Sequence, residues 1–157
     1  MLSGSSSSGK TSLASALLDR LPFAALRIEA DRAFPDLSPK AEVEHDELVL
    51  AFHRSIAAWA VSGFNLIIDG SLPYGNRPLT AACLQPFAPF DLRLVGVHCS
   101  IPVLEKREHD RGDRPIGWAA QQSLDINNDL NLDAIVDTSA GSPEECAALV
   151  ITDLNLC

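Results

Sequence analysis

The sequence lacks most features that would mark a metal, redox or disulfide protein. Its four cysteines, Cys83, Cys99, Cys146 and Cys157, form neither a C-x-x-C pair nor a zinc spacing, and they read as reduced thiols of a cytosolic, cytoplasmic protein. His45, His53, His98 and His109 likewise have no metal spacing and build no Ser-His-Asp set, so each reads as structural or solvent-facing. No apolar run approaches about 18 residues, so no membrane-spanning helix is expected. The Ser- and Leu-rich start lacks the charged region and long apolar core of a targeting peptide. Positive charge is scarce: 12 Lys and Arg against 21 Asp and Glu leave a formal charge of −9. A nucleic-acid partner calls for a basic stripe and is not expected. The position of each arginine therefore matters for any anionic ligand.

The 157 residues, 46% of them hydrophobic, form a single domain with room for a small lid over about residues 105–130. Leu13, Leu17, Leu18 and Leu21 recur at helical spacing up to Pro22. Leu26 to Ala30 reads as a strand ending at Asp31, and the proline-bearing stretch to Lys40 as loop. Glu42 to Ser62 reads as an amphipathic helix stopped by Gly63, and Phe64 to Asp69 as a buried parallel strand. A helix from about Pro78 to Gln85 follows, then a strand over Leu92 to His98. Pro102 to Arg111 is helical, capped by Gly112. A further helix from Ile116 to about Asp125 precedes the strand Ala134 to Asp137. Ser142-Pro143-Glu144-Glu145 is a capping box opening the last helix. Such alternation predicts an α/β, three-layer fold around a parallel, five-stranded sheet, with ligands bound beyond the carboxyl ends of the strands. Asp31, Asp69 and Asp137 fall there. Trp59 and Trp118 read as core, with Trp118 near enough to the lid to meet a substrate.

Gly4-Ser5-Ser6-Ser7-Ser8-Gly9-Lys10-Thr11 satisfies the phosphate-loop pattern G-x-x-x-x-G-K-S/T and opens a helix, with Ser12 next in its first turn. Its glycines let successive N–H groups turn inward on phosphate oxygens, and the helix N-terminus adds a favourable field. Lys10 is placed to contact the outer phosphates, and the Thr11 hydroxyl to ligate magnesium. Only Met1 and Leu2 precede Ser3, so either the feeding strand is very short or the natural chain begins upstream. Asp69, closing an apolar strand, is placed to bind water on the same magnesium ion. Asp31 lies where an acceptor approaches the outer phosphate, and a carboxylate there accepts a hydroxyl proton. Lys106, Arg107, Arg111 and Arg114 concentrate positive charge beside Gly112. Arg111 and Arg114 are candidates to neutralise the transferring phosphoryl group. Arg107 is placed either on the nucleotide or in pairs with Glu105, Glu108 and Asp110.

With these residues in place the chain resembles the chloramphenicol phosphotransferase family of phosphate-loop kinases. The likeness is strongest from Cys99 to Thr138, through Arg107-Glu108, Arg111-Gly112-Asp113-Arg114, Gly117, Ala119-Ala120, Gln122 and Asp133…Val136-Asp137-Thr138. It implies an ATP-dependent O-phosphotransferase with a nucleoside-monophosphate-kinase-like sheet. Asp31 would stand at the general-base position, with Arg111 and Arg114 as lid arginines. The partner is then a small molecule bearing a hydroxyl. Three departures stand out. The region from Arg32 to about Asp46 looks shorter and unlike the family, Gly70 replaces a second acid, and a lid-to-strand histidine is replaced near Asn127. They leave the acceptor open. A nucleotide-sugar kinase of the zeta-toxin type and a non-catalytic ATP-binding regulator remain the alternatives. A guanine-reading N/T-K-x-D motif is absent.

Overall fold

The computed structural model describes residues 1–38, 40, 42–70, 72–112, 117–124, 126–128 and 130–156. Five parallel strands form one sheet: β1 (Leu2–Ser3), β2 (Leu26–Glu29), β3 (Leu66–Asp69), β4 (Val95–His98) and β5 (Ala134–Asp137), in the order β2-β3-β1-β4-β5. The short β1 is central, with Leu2 opposite both Asp69 and Val95, and Ser3 opposite Gly96. Parallel strands need helical crossovers, and these cover both faces of the sheet.

Side chains alternate across a strand, and the core splits accordingly. Ile67 joins Leu2, Val95, Val97 and Val136 under α1 (Lys10–Arg20) and α7 (Pro143–Asp153), where Leu13, Leu17, Ala147 and Val150 are buried. Ile68 faces the other way, into Phe52, Ile56 and Phe87, beneath α3 (His45–Val61) and a short 3-10 turn, Gln85–Phe87. Leu79 and Cys83 of α4 (Arg77–Leu84) extend that second core with Val49, Leu72 and Leu94. Burial pushes the Cys83 thiol up to about 11, which leaves it a core group rather than a nucleophile. Cys83, Cys99 and Cys146 are buried and unpaired, and Cys157 lies outside the described residues. A third, small cluster of Cys99, Leu104 and Ala119 joins α5 (Ile101–Arg111) to α6 (Trp118–Ser123). No helix among the described residues is long and apolar enough to cross a membrane.

Most elements fall where the spacing predicts, with corrections at their ends. β2 stops at Glu29, and Ala30–Ala33 forms a one-turn helix, α2, closed by the Phe34 N–H donating to the Ala30 carbonyl at 3.0 Å. Asp31 in its first turn and Arg32 in its last complement the helix dipole. Arg32 also pairs with Glu29 at 3.4 Å. Asp31 therefore sits on a helical turn, not at a strand end. β4 begins at Val95 because the Leu94 N–H is taken by the Asp133 carboxylate at 2.7 Å. α3 begins at His45 rather than Glu42. The helix expected from Ile116 to about Asp125 is seen as α6 over Trp118–Ser123, those two outer residues lying outside the described ones. Trp59 and Trp118 are each 50% exposed and are not core. Gly112 ends α5 in the left-handed conformation at φ 65°, and Ser142 and Glu145 make the expected reciprocal cap of α7.

Candidate active site

The loop between β1 and α1 owes its shape to backbone crowding. A Cβ on Gly4 would lie 2.4 Å from the Val97 carbonyl oxygen, so only glycine lets the loop leave β1 against β4. Ser7 and Gly9 both take positive φ, 58° and 93°, turning consecutive peptide N–H groups to one side. Gly9 is the N-cap of α1, and no side chain caps the helix, leaving its first turn open to an anion. Ser7 Oγ and Ser8 Oγ are buried with no hydrogen-bond partner, a condition a bound phosphate relieves. Lys10 Nζ donates to the Gly4 and Ser5 carbonyls at 2.7 Å each, above the same cradle. These features fit a nucleotide's phosphates.

A cleft of about 550 Å³ opens over the loop. Ser6, Ser7, Gly9, Lys10, Thr11 and Ser12 line it, whereas Gly4, Ser5 and Ser8 are buried beneath and shape the loop. Asp69, Asp31, Arg107 and Arg111 line it too, so the expected groups that are described converge. Arg114 lies outside the described residues. Asp137 turns away: its Oδ1 accepts the Ser139 N–H at 2.8 Å, and bonding to Ser139 holds its carboxyl below the usual range. Asp69 is 3% exposed, and its Oδ2 accepts from Arg27 Nη2 at 3.1 Å. Thr11 is exposed at the start of α1. No cluster of three or more His, Cys, Asp or Glu side chains suited to a metal exists among the described residues. One carboxylate and one hydroxyl beside a phosphate cradle is nonetheless the donor set magnesium uses with a nucleotide, which supplies the remaining oxygens.

Arg107 does not pair with its helical neighbours. Its guanidinium donates to the Ser7 carbonyl at 3.3 Å, Thr138 Oγ1 at 3.2 Å and the Thr138 carbonyl at 2.9 Å, tying α5 to the loop and to the end of β5. Glu108, 1% exposed, accepts the Gly117 N–H at 2.9 Å and the Ala119 N–H at 2.7 Å, and so caps α6. The Ser6 N–H donates to Gln122 Oε1 at 2.7 Å, and Ser3 Oγ to Asn127 Oδ1 at 2.8 Å, so α6 and the segment after it touch the loop directly. Sequence reasoning assigned no role to Arg27 or Glu29, although a lone arginine inside a strand that ends in an acid was a usable signal. Glu108, Gln122 and Thr138 lay inside the family-like segment without a role.

Gly70 accounts for one departure from the family pattern. A Cβ there would lie 2.3 Å from the Ala30 Cβ. A side chain at this position is therefore incompatible with the place α2 occupies. With glycine, the α2 turn closes on the end of β3 and carries Asp31 to the rim of the cleft. Asp31 and Gly70 also line a second pocket of about 710 Å³ between α2, α3 and α4.

Comparison with known proteins agrees with this geometry. The model of a family described as chloramphenicol phosphotransferase-like protein matches residues 1–155. A Mycobacterium tuberculosis protein bearing the name "Putative O-phosphotransferase" is 30% identical over 176 aligned residues, covering 94% of this chain and 77% of its own length. Among solved structures, the M. tuberculosis APS kinase in complex with AMPPNP and APS superposes with a TM-score of 0.73 at 19% identity, over 98% of this chain and 95% of that one. A gluconokinase from Sinorhizobium meliloti gives 0.69 at 22% identity, over 98% and 89%. The tunicamycin resistance protein of Deinococcus radiodurans gives 0.74 at 14%, over 99% and 94%. These three share the fold. By the match along its length, the chain belongs to the chloramphenicol phosphotransferase-like family of P-loop kinases.

Proposed function

We propose that the protein binds ATP with magnesium in the loop cleft and transfers the terminal phosphate to a hydroxyl of a small molecule in the adjoining pocket. The observation that carries this reading is the position of Asp31, which lines both spaces at their junction. The loop N–H groups and Lys10 hold the phosphates, Lys10 exchanging the Gly4 and Ser5 carbonyls for phosphate oxygens. Thr11 and Asp69 would hold the metal, which supplies charge neutralisation on the phosphate oxygens. Asp31 takes the proton of the acceptor hydroxyl as its oxygen bonds to phosphorus and the bond to the ADP oxygen breaks. Arg111, exposed in the last turn of α5, stabilises the charge on the transferring group. Arg114 is given the same role by its place in the family pattern. Arg107 positions the loop and the root of the lid.

The test pairs two measurements on Asp31→Asn, which keeps the size of the side chain but cannot take a proton. Hydroxylated metabolites and antibiotics are first screened for ATP-dependent mass gain with the wild type. For an acceptor so found, transfer by the variant should fall by about 10² or more, with ATP affinity by calorimetry unchanged. Transfer at the wild-type rate would remove Asp31 from the reaction. Lost ATP binding would move it to the metal site. A wild type that binds ATP and phosphorylates nothing would be a regulator rather than a kinase.

A further inference from the structure

The pocket beside Asp31 carries both acceptors and donors: Asp31, Asp46 and His53 line it together with His45, Tyr74 and Asn76. Its apolar wall comes from residues such as Phe34, Phe52 and Ile68, and no lysine or arginine lines it among the described residues. Its carboxylates, Asp31 and Asp46, only accept when ionised. His53 is embedded in this wall, 7% exposed, its ring edge-on to Phe52 at 5.9 Å. His53 Nδ1 lies 2.8 Å from the Val49 carbonyl one turn back on α3. A carbonyl can only accept, so Nδ1 carries the proton. Burial lowers the pKa of the ring, so it is neutral near neutral pH and Nε2 holds a lone pair. No described residue hydrogen-bonds to Nε2. The ring is thus fixed in the tautomer that offers the pocket an acceptor.

We propose that His53 is a specificity-determining residue: Nε2 accepts a hydrogen bond from a second O–H or N–H group of an uncharged alcohol whose reactive hydroxyl faces Asp31. This rests on the kinase reading above and narrows its acceptor class. The acceptor has an apolar body and two separated donors. A phosphate, sulfate or carboxylate in the pocket would meet the Asp31 and Asp46 carboxylates and a lone pair, with no lysine or arginine among the described lining residues, and is disfavoured. An acceptor lacking the second donor leaves Nε2 buried and unpaired, which is penalised more than a missing apolar contact.

Three matched probes test this: cyclohexanedimethanol, its monomethyl ether, and the corresponding hydroxymethyl-cyclohexanecarboxylate. Their binding is followed by ligand-observed NMR with AMPPNP and magnesium present, and AMPPNP affinity is measured by calorimetry on the same samples. The wild type should hold the diol roughly tenfold tighter than the ether, with the carboxylate weakest. His53→Phe keeps an aromatic ring against Phe52 and should bring diol and ether together. His53→Gln, with an amide oxygen available near the Nε2 position, should restore part of the gap and guards against misfolding of the first variant. AMPPNP affinity should be unchanged in both variants. A diol–ether gap that survives His53→Phe, a carboxylate that binds as well as the diol, or a wild type that binds none of the probes would overturn the proposal. Failure of the wild type to bind AMPPNP would instead overturn the kinase reading, and this inference with it.

Discussion

The two walls of the cleft are held together by different physics. On the phosphate side, groups far apart in sequence are joined by directional bonds: Gln122 to Ser6, Arg107 to Ser7 and Thr138, Thr138 Oγ1 to the Ser8 carbonyl. On the acceptor side, α2 is one turn with no buried residue. The pocket behind it is walled by apolar side chains of α3 and β3. Polar networks in a low-dielectric setting fix one geometry, which suits a ligand whose phosphates never change. Apolar packing tolerates substitution of similar volume. Directional bonds therefore define the loop side of the cleft, and apolar packing defines the side of α2 and α3.

Removing the phosphate wall's principal charge should produce the largest effect. Lys10→Ala should lower ATP turnover by about 10² to 10³ or more and weaken ATP binding, with the circular dichroism spectrum and thermal unfolding retained. Near-normal turnover would show that the loop is not the phosphate site. Gly70→Ala attacks the other wall and should act on one side alone. The new methyl meets Ala30 and forces α2 outward, at about 1–3 kcal/mol of stability. ATP affinity should hold within about twofold while transfer drops by about tenfold or more, since Asp31 moves off its position. Equal losses of ATP binding and transfer would mean that the two walls are mechanically one, and the contrast between them would fail.

How much of this was legible in the sequence follows the same division. The phosphate loop could be read because its requirements are local: glycines at two fixed positions, a lysine, a hydroxyl, and a helix that begins at once. The sheet was legible from apolar runs such as Leu66–Ile68, which only a doubly covered parallel sheet buries. Asp31 lines the cleft, although not from the strand end expected of it. It reaches the cleft from a helical turn, and what brings it there is the absence of a side chain at Gly70, thirty-nine residues away. Neither residue advertises that contact. Arg27 and Glu108 illustrate the same limit. An arginine two positions before a strand end and a glutamate in a charged helix look solvated, until the fold pairs the half-buried Arg27 with Asp69 and buries Glu108 at the start of α6. In the sequence His53 reads only as structural or solvent-facing. Only the carbonyl beside its Nδ1 and the pocket beside its ring set it apart.

The smallest expected effect tests whether the walls also differ in stability. Burial holds the folded pKa of His53 below its ordinary value of 6.5. As pH falls below that value the unfolded chain gains a proton that the folded chain resists. The contribution of the neutral ring is therefore fully present above about pH 6.5 and is lost as pH falls through the lowered folded value. At its steepest the loss for one proton is about 1.4 kcal/mol per pH unit. Denaturant unfolding from about pH 7 to about pH 5 should show this loss in the wild type beyond whatever slope remains in His53→Phe, which carries no titrating ring. Amide exchange should locate it. α3, which carries His53, should open earlier on acidification than α1, which the phosphate loop and α7 hold. Acid-induced opening of α1 and α3 in step would show that the walls unfold as a unit, so that any difference between them lies in ligand chemistry and not in the strength of the scaffold.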